Sequence, residues 1–374
     1  MKILNIVSSN IVQDPRILKQ METIKSLTNQ HLMVGMNNNK VTKDRLSKLD
    51  FNYMLFGKKN DTKTIIGKLL KRIIYAKNVI STIKSYNPDI IHANDFDVLF
   101  MVYLSGKKNA NIIFDAHEIY AKNAFINRFS FISSIVEKIE KYIIAKRVNS
   151  FITVSHAAKS YYEQRGYKKT PYVITNAPIG DEERKFEKKE KINEVVYQGQ
   201  IVANRGYEEF VKASTEQFKE SPMYIVRGFG PLEEEIRQLI KETNANAKLD
   251  NPVEIRELVD KLTESEVGVV LTKPISINFE YTVSNKIFEC IHAGLPVILS
   301  PVKEHYYLNE KYDFGIVIDE VTPKKIAEAV QSLIDNKNLY DRLRKNAIEA
   351  SKILNWQNES KKLKTFVIKA LILY

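Results

Sequence analysis

The feature that most limits what this chain can fold into is a recurrence of short, continuous, β-branched apolar runs separated by stretches of helical periodicity. "ILNIVSS", "HLMVGM", "DIIHA", "NIIFDAH", "FITVS" and "YVIT" occupy the first half, and "EVVYQGQ", "MYIVRGFG", "VGVVLT", "PVILS" and "GIVID" the second. A strand that is apolar without alternation is buried on both faces, which a parallel sheet covered by helices achieves. The fold class is therefore α/β, with two doubly wound domains facing across a cleft. A length of 374 residues with 44% hydrophobic content is enough for two cores. The charged stretch "DEERKFEKKEK" has no apolar periodicity and reads as a solvated linker at 181–191, between a domain at 1–180 and a second at 192–354. Residues 355–374 read as a partly apolar helix packed across a domain surface.

One cysteine, Cys290, rules out an internal disulfide framework, and six scattered histidines show no metal-ligand spacing, so no metal site is expected. "MKILNIVSS" has no signal-peptide core, and no eighteen apolar residues run uninterrupted, so the expected location is the cytoplasm. The formal net charge of +12 points to an anionic partner: nucleic acid, an acidic lipid surface or phosphorylated small molecules.

Open parallel sheets bind ligands beyond the carboxyl ends of their strands, so the residues just after each strand carry the chemistry. "YTVSNKIFECIHAGLPVILS", residues 281–300, reads as a loop, a helix from about Ser284, Gly294 and Pro296 as its stop, and a strand. Lys286 in that helix's first turn opposes the helix dipole unless an anion shares the site, held also by the free backbone N–H groups. Glu289, one turn deeper, can accept two hydroxyl hydrogen bonds from a ribose, and a diphosphate followed by a ribose is a nucleotide. The alternative is that Lys286 points into water and Glu289 pairs along the helix.

"YQGQIVANRGYEEF" ends a strand in a loop with Gly199, Arg205 and Gly206, where arginine suits a bidentate phosphate contact and glycine lets backbone come close. A surface turn with a solvated arginine is the other possibility. In "RGFGPLEEEIRQLI" the helix start is filled by Glu233, Glu234 and Glu235, which would repel a pyrophosphate, so this loop reads as structural. In the first half, "IIFDAHEIYAKN" puts Asp115, His117 and Glu118 at a strand end, and "IIHANDFDVL" puts His92, Asn94, Asp95 and Asp97 at another. His117 can bond a substrate hydroxyl or stabilise developing charge, or be a satisfied structural histidine. Asp14 and Pro15 fit a helix start. Residues 58–86 combine eight Lys/Arg with an apolar stripe through Ile65, Ile66, Leu69, Leu70, Ile73 and Ile74. The apolar face is expected to pack on the sheet as a crossover helix does, leaving a basic face for a membrane or an acidic acceptor.

The order "DPRILKQ", "HANDFDVL", "FDAHEIY", "ITVSHAAKSYY", "VITNAP", "YQGQIVANRGYEEF", "GFGPL" and "YTVSNKIFECIHAGLP" resembles the retaining glycosyltransferases of family 4 over nearly the whole chain. The resemblance implies the GT-B fold of two Rossmann-like domains, with a C-terminal helix that crosses back to the N-terminal domain. It implies a nucleotide-sugar co-substrate, UDP- or GDP-linked, with no other cofactor and no metal. By motif, Gly199, Arg205, Gly206, Tyr281, Ser284, Asn285, Lys286 and Glu289 form the donor set, and His117, Arg205 and Lys286 the catalytic set. Asp14, Asn94, Asp95 and Glu118 lie on the acceptor side. Three positions depart from the family: Tyr281 stands where the first of two glutamates with seven residues between them is usual, Gln200 where a basic residue is common, and the Ser8–Gln13 loop has no glycine.

The expected activity is retaining transfer of a sugar to a lipid-linked or cell-surface glycan precursor, at the inner face of the cell membrane. A nucleotide-sugar epimerase would interconvert the donor without an acceptor. A nucleic-acid-binding protein would use the net charge, but the chain lacks a basic-aromatic stacking pattern.

Overall fold

The computed structural model describes the chain except for Gln13, Lys40, residues 58–63, 124–125, 217–221, Thr282 and 373–374, and the side chains of Ile65, Glu216 and 370–372. Two compact units divide it: Met1–Asn176 with Glu359–Tyr374, and Ala177–Asn358.

The first unit alternates β1 (Ile3–Ile6), α1 (Pro15–Lys25), β2 (His31–Met36), α2 (Lys43–Ser47), β3 (Tyr53–Phe56), α3 (Ile65–Tyr86), β4 (Ile90–Asn94), α4 (Phe96–Leu104), β5 (Asn111–Ala116), α5 (Ser130–Arg147), β6 (Ser150–Thr153), α6 (His156–Gln164) and β7 (Tyr172–Val173). Among the described residues these strands form one parallel sheet in the order β3-β2-β1-β4-β5-β6-β7. Ile3 of central β1 sits opposite His31 on one side and Ile90 on the other. Every residue of β1, β4 and β5 is buried, as unbroken apolar runs require. Asp14 caps α1 by accepting from the Arg16 and Ile17 amides, and Pro15 supplies its first helical φ.

α3 corrects one expectation. Tyr75, Val79, Thr82 and Ile83 in its second half are buried, but Ile66, Leu69, Leu70, Ile73 and Ile74 stand exposed. With 22 residues the helix is about 33 Å long, whereas four- to six-residue strands span at most about 20 Å, so its first turns overrun the sheet. Residues 58–63 of that basic stretch lie outside the described residues.

The second unit contains β8 (Glu194–Gln200), α7 (Tyr207–Glu216), β9 (Met223–Phe229), α8 (Glu233–Thr243), β10 (Ala247–Asp250), α9 (Leu258–Leu262), β11 (Val267–Val270), α10 (Ile277–Tyr281), α11 (Asn285–His292), β12 (Val297–Leu299), α12 (Lys303–Tyr312), β13 (Gly315–Val317), α13 (Pro323–Asp335) and α14 (Lys337–Ile353), followed by α15 (Trp356–Ile372). Its sheet is parallel in the order β10-β9-β8-β11-β12-β13. The charged stretch 181–191 lies within this unit: Arg184 pairs with Asp260 at 2.7 Å, and Arg344 donates to the Glu187 carbonyl at 2.6 Å. From Glu359 onward α15 belongs to the first unit, where the buried Glu359 carboxylate accepts from the Thr175 amide at 3.0 Å. Phe366 packs there on Tyr172, ring centroids 4.3 Å apart.

Candidate functional site

In the second sheet the strand order reverses between β8 and β11, the switch point beyond which open α/β sheets bind ligands. A cavity of about 330 Å³ opens there. Gln198 and Gly199 line it from β8, Arg205 from the following loop, Thr272 from just past β11, Phe279 from α10, Ser284, Asn285, Lys286 and Glu289 from the start of α11, and His305 from α12.

The local chain explains how two cations come to face one cavity. Asn204 and Gly206 flank Arg205 with left-handed φ of 64° and 70°, a reversal glycine takes readily and asparagine tolerates. The Tyr197 hydroxyl, 2.6 Å from the Arg205 carbonyl and 2.8 Å from that of Leu271, ties this loop to the end of β11. The guanidinium donates to Thr272 Oγ1 at 2.7 Å and lies 4.5 Å from the Phe279 ring centroid. Arg205 is therefore fixed before any ligand arrives. Gly199 has φ 140°, and a Cβ there would fall 2.0 Å from Lys286 Cε, so glycine is what lets the lysine reach across β8. Gly228 nests behind it: a Cβ would come 1.8 Å from the Gly199 carbonyl oxygen.

Ser284 begins α11 without a side-chain capping bond, which leaves first-turn N–H groups for a ligand. Burial, and then the Arg205 charge, push the Lys286 ammonium down to about 8, so it is charged at neutral pH in a setting that opposes the charge. An anion would relieve the repulsion, and Glu289 stands one turn further on the same cavity wall.

Tyr281 is not among the residues lining the cavity. Lys303 Nζ sits 3.8 Å from its ring centroid and also bonds its hydroxyl, while the neighbouring Glu280 pairs with the same lysine at 3.3 Å. Neither Glu280 nor Tyr281 lines the cavity.

The first unit holds a second polar cluster around Asp115, which is 1% exposed. Arg16 grips this carboxylate through Nε at 3.0 Å and Nη2 at 2.8 Å, Gln20 donates to it at 2.6 Å, and His117 Nε2 and His92 Nε2 stand 3.4 and 3.6 Å away. Burial works to raise the acid, but Arg16 and His117 together outweigh it and hold Asp115 well below the usual carboxylate range. The His117 amide donates to Asp95 Oδ1 at 2.9 Å, and its ring Nδ1 is 3.6 Å from Asp95 Oδ2. Burial would lower this imidazole, yet Asp95 and Asp115 on either side lift it to about 9. Asp95 itself is pushed by burial to about 6, and burial with the Asp95 charge lifts Glu118 to about 7. Asp95 also has φ 67°, a strained conformation of the kind that concentrates at functional sites, with a cost of about 1–3 kcal/mol.

His117 gains charge stability on folding. Its folded pKa near 9 lies above the ordinary 6.5, so the stabilisation is complete below about pH 6.5 and is lost as pH rises through about 9. The raised Asp95 and Glu118 carboxyls act in the same direction at lower pH, since the folded state again binds the extra proton. The expected result is an unfolding midpoint that falls between about pH 7 and pH 9.5, with a shallower fall in His117→Asn. Equal slopes in the two proteins would contradict the charged imidazole.

Other residues expected on the acceptor side have structural duties. Asn94 is fully buried and donates to Asn5 Oδ1 at 2.6 Å and the Ile6 carbonyl at 3.0 Å, holding β4 to β1 instead of meeting a ligand. The Asp14 carboxylate is used as the α1 cap. Sequence reading missed Thr272, Phe279 and His305. His305 Nδ1 donates to the Ser300 carbonyl at 2.9 Å, and burial pushes its pKa down to about 4, so the ring is neutral with Nε2 as its acceptor. Its one signal was its place shortly after the strand "PVILS".

Comparison with known proteins identifies the fold and the family. Residues 62–177 match the model of Glycosyltransferase Family 4, and residues 179–350 that of Glycosyl transferases group 1, together most of the chain. No curated protein sequence matches. Sucrose-phosphate synthase from Thermosynechococcus elongatus superposes with a TM-score of 0.76 at 15% identity, covering 100% of each chain. Anabaena Alr3699/HepE, solved with UDP and glucose, gives 0.74 at 14% identity, covering 99% of this chain and 100% of that one. The lipopolysaccharide outer core galactosyltransferase WaaB gives 0.69 at 12% identity, covering 99% of each chain. At such identities these likenesses establish the fold, and the sequence models add the family: the chain belongs to the family 4 glycosyltransferases of GT-B fold.

Proposed function

We propose that this glycosyltransferase takes its sugar from a UDP- or GDP-sugar, with retention of configuration and without a metal. The acceptor is a lipid-linked or cell-surface glycan precursor of polysaccharide biosynthesis, at the anionic cytoplasmic face of the membrane. The observation that carries the donor half is the convergence of Arg205, Lys286 and the uncapped start of α11 on one cavity, with Glu289 a turn away. The diphosphate lies between the cations and the α11 amides, and Glu289 takes the ribose hydroxyls. As the bond from the anomeric carbon to the phosphate oxygen breaks, charge grows on the diphosphate, and fixed cations with helix N–H groups stabilise it as a metal ion otherwise would.

For retention, the acceptor oxygen bonds the anomeric carbon on the face the phosphate leaves, and its proton passes to the departing phosphate oxygen. His117, cationic at neutral pH, donates to a sugar hydroxyl, the part its family resemblance implies. Asp95 and Glu118, which titrate near neutrality, contact the acceptor.

Incubation with a panel of labelled UDP-, GDP- and ADP-sugars tests this reading, starting with UDP because the Anabaena structure carries it. Slow hydrolysis of one donor, and transfer with the same anomeric configuration once an acceptor is supplied, is the expected outcome. Interconversion of the sugar with no acceptor present would make the enzyme an epimerase, and no turnover of any donor would reject the proposal.

A further inference from the structure

The helix layer of the first unit is apolar on the wrong side. In the first turns of α5, Ser133, Glu137 and Glu140 are 1%, 8% and 0% exposed, while Phe131, Ile132, Ile135 and Ile139 are 75%, 46%, 39% and 37% exposed. α3 repeats the inversion in its first half, where Ile66, Leu69, Leu70, Ile73 and Ile74 form an i, i+3, i+4, i+7, i+8 stripe that faces outward. Between these helices, Phe100 and Leu104 of α4 are exposed too, and Tyr103 of α4 meets Tyr142 of α5 edge-on at 6.3 Å. Isolated exposed apolar residues are ordinary, but stripes on neighbouring helices mark a surface that something covers.

The charges on the same helices say what covers it. α3 carries Lys68, Lys71, Arg72, Lys77 and Lys84 and no acid, and the two acids of α5 are the buried Glu137 and Glu140. Every exposed side chain on these two helices that is charged at neutral pH is therefore a cation. A second copy of the chain would bring like charge against like, and nucleic acid would leave the isoleucines and phenylalanines without an apolar partner. Apolar stripes with cations beside them fit the boundary of an anionic bilayer, where lysine heads meet lipid phosphates and aliphatic chains enter the acyl edge. Among the described residues no helix is long and apolar enough to cross a membrane, which leaves lying on it.

We propose that the outer face of α3, α4 and α5 is a docking surface for an anionic lipid leaflet, and that it presents the polar cluster of the first unit to an acceptor held in that leaflet. The topology makes the second part specific. Each of these helices leads from the carboxyl end of one parallel strand back to the amino end of the next, so the exposed first turns of α3 and α5 lie toward the carboxyl-end edge of the sheet, the edge that carries Asp95, His117 and Glu118. This deepens the membrane-borne acceptor of the proposed function and rests on it.

Flotation with vesicles of phosphatidylcholine alone, and of phosphatidylcholine with about a third phosphatidylglycerol, tests the surface with no donor present. The full chain is expected to float with the anionic vesicles and hardly with the neutral ones. Lys68→Gln and Lys138→Gln should each weaken binding about fivefold, the effect of losing ~1 kcal/mol per cation. Leu69→Glu with Phe131→Glu should abolish binding while leaving the unfolding midpoint and donor hydrolysis unchanged, since both side chains are exposed. Equal flotation with neutral vesicles, or tighter binding to single-stranded DNA than to anionic vesicles at matched salt, would overturn the proposal. So would a lipid-free dimer that the glutamate pair dissolves. Vesicle binding with no turnover of any donor would instead condemn the enzymatic reading alone.

Discussion

Lys286→Ala is expected to lower sugar transfer by about a hundredfold to a thousandfold, or ~2.7–4 kcal/mol, the range found when one preorganised stabiliser of a developing anion is removed. The lysine's end passes over Gly199, which has no Cβ in its path, and arrives beside the immobilised Arg205 at the positive end of α11. That placement opposes its charge in the empty enzyme, as its depression to about 8 records. The ligand-free variant should therefore be as stable as the wild type or slightly more so, while UDP binding measured by calorimetry weakens. A bound diphosphate favours the ammonium, so wild-type affinity should fall as pH rises through about 8, and the variant should lose that dependence. Unchanged UDP affinity together with a destabilised fold would make Lys286 a structural residue.

Arg16→Ala is expected to have the largest effect on stability, about 3–5 kcal/mol in urea unfolding of the first unit. Arg16 is 3% exposed and Asp115 is 1% exposed, so truncation leaves a buried carboxylate without its bidentate partner. The Arg16 Nη1 bond to the Ile174 carbonyl at 2.8 Å is lost as well. Adding Asp115→Asn removes the orphaned charge, and the double variant should recover part of the loss, a coupling that independent sites would not show. If the second substitution adds its full cost to the first, the two residues do not act as a pair.

How much of this was legible in the sequence follows from burial. Central strands such as β5, with its run "IIF", and "VGVV" sit between two helix layers, and the continuous apolar run that burial on both faces allows stands out in the sequence. β3 and β10 were missed because "YMLF" is apolar but has no β-branched residue to mark it as a strand, and "AKLD" is broken by Lys248 and Asp250. Lys286 was legible for a local reason, a cation in a first helical turn that only an anion would justify. Thr272 and Phe279 gave no signal of their own and His305 only its place after "PVILS", because they reach the cavity from the end of β11, α10 and α12, elements brought together by parallel crossovers. Asn94 misled for the opposite reason: its place at a strand end looked ligand-facing, but its side chain turns into the sheet toward Asn5.

The sequence by itself determined two parallel α/β sheets, and it drew attention to the residues just after their strands. Hydrophobic period and helix-end chemistry are local, and local patterns survive reading one residue at a time. Only the tertiary structure decided which charges face one another. It put Lys286 against Arg205 and His117 between Asp95 and Asp115, and it turned the apolar stripes of α3 and α5 outward. Those outcomes depend on distances between segments far apart in the chain, and both the strength of a charge pair and the burial of a helix face are set by neighbours that no local pattern encodes.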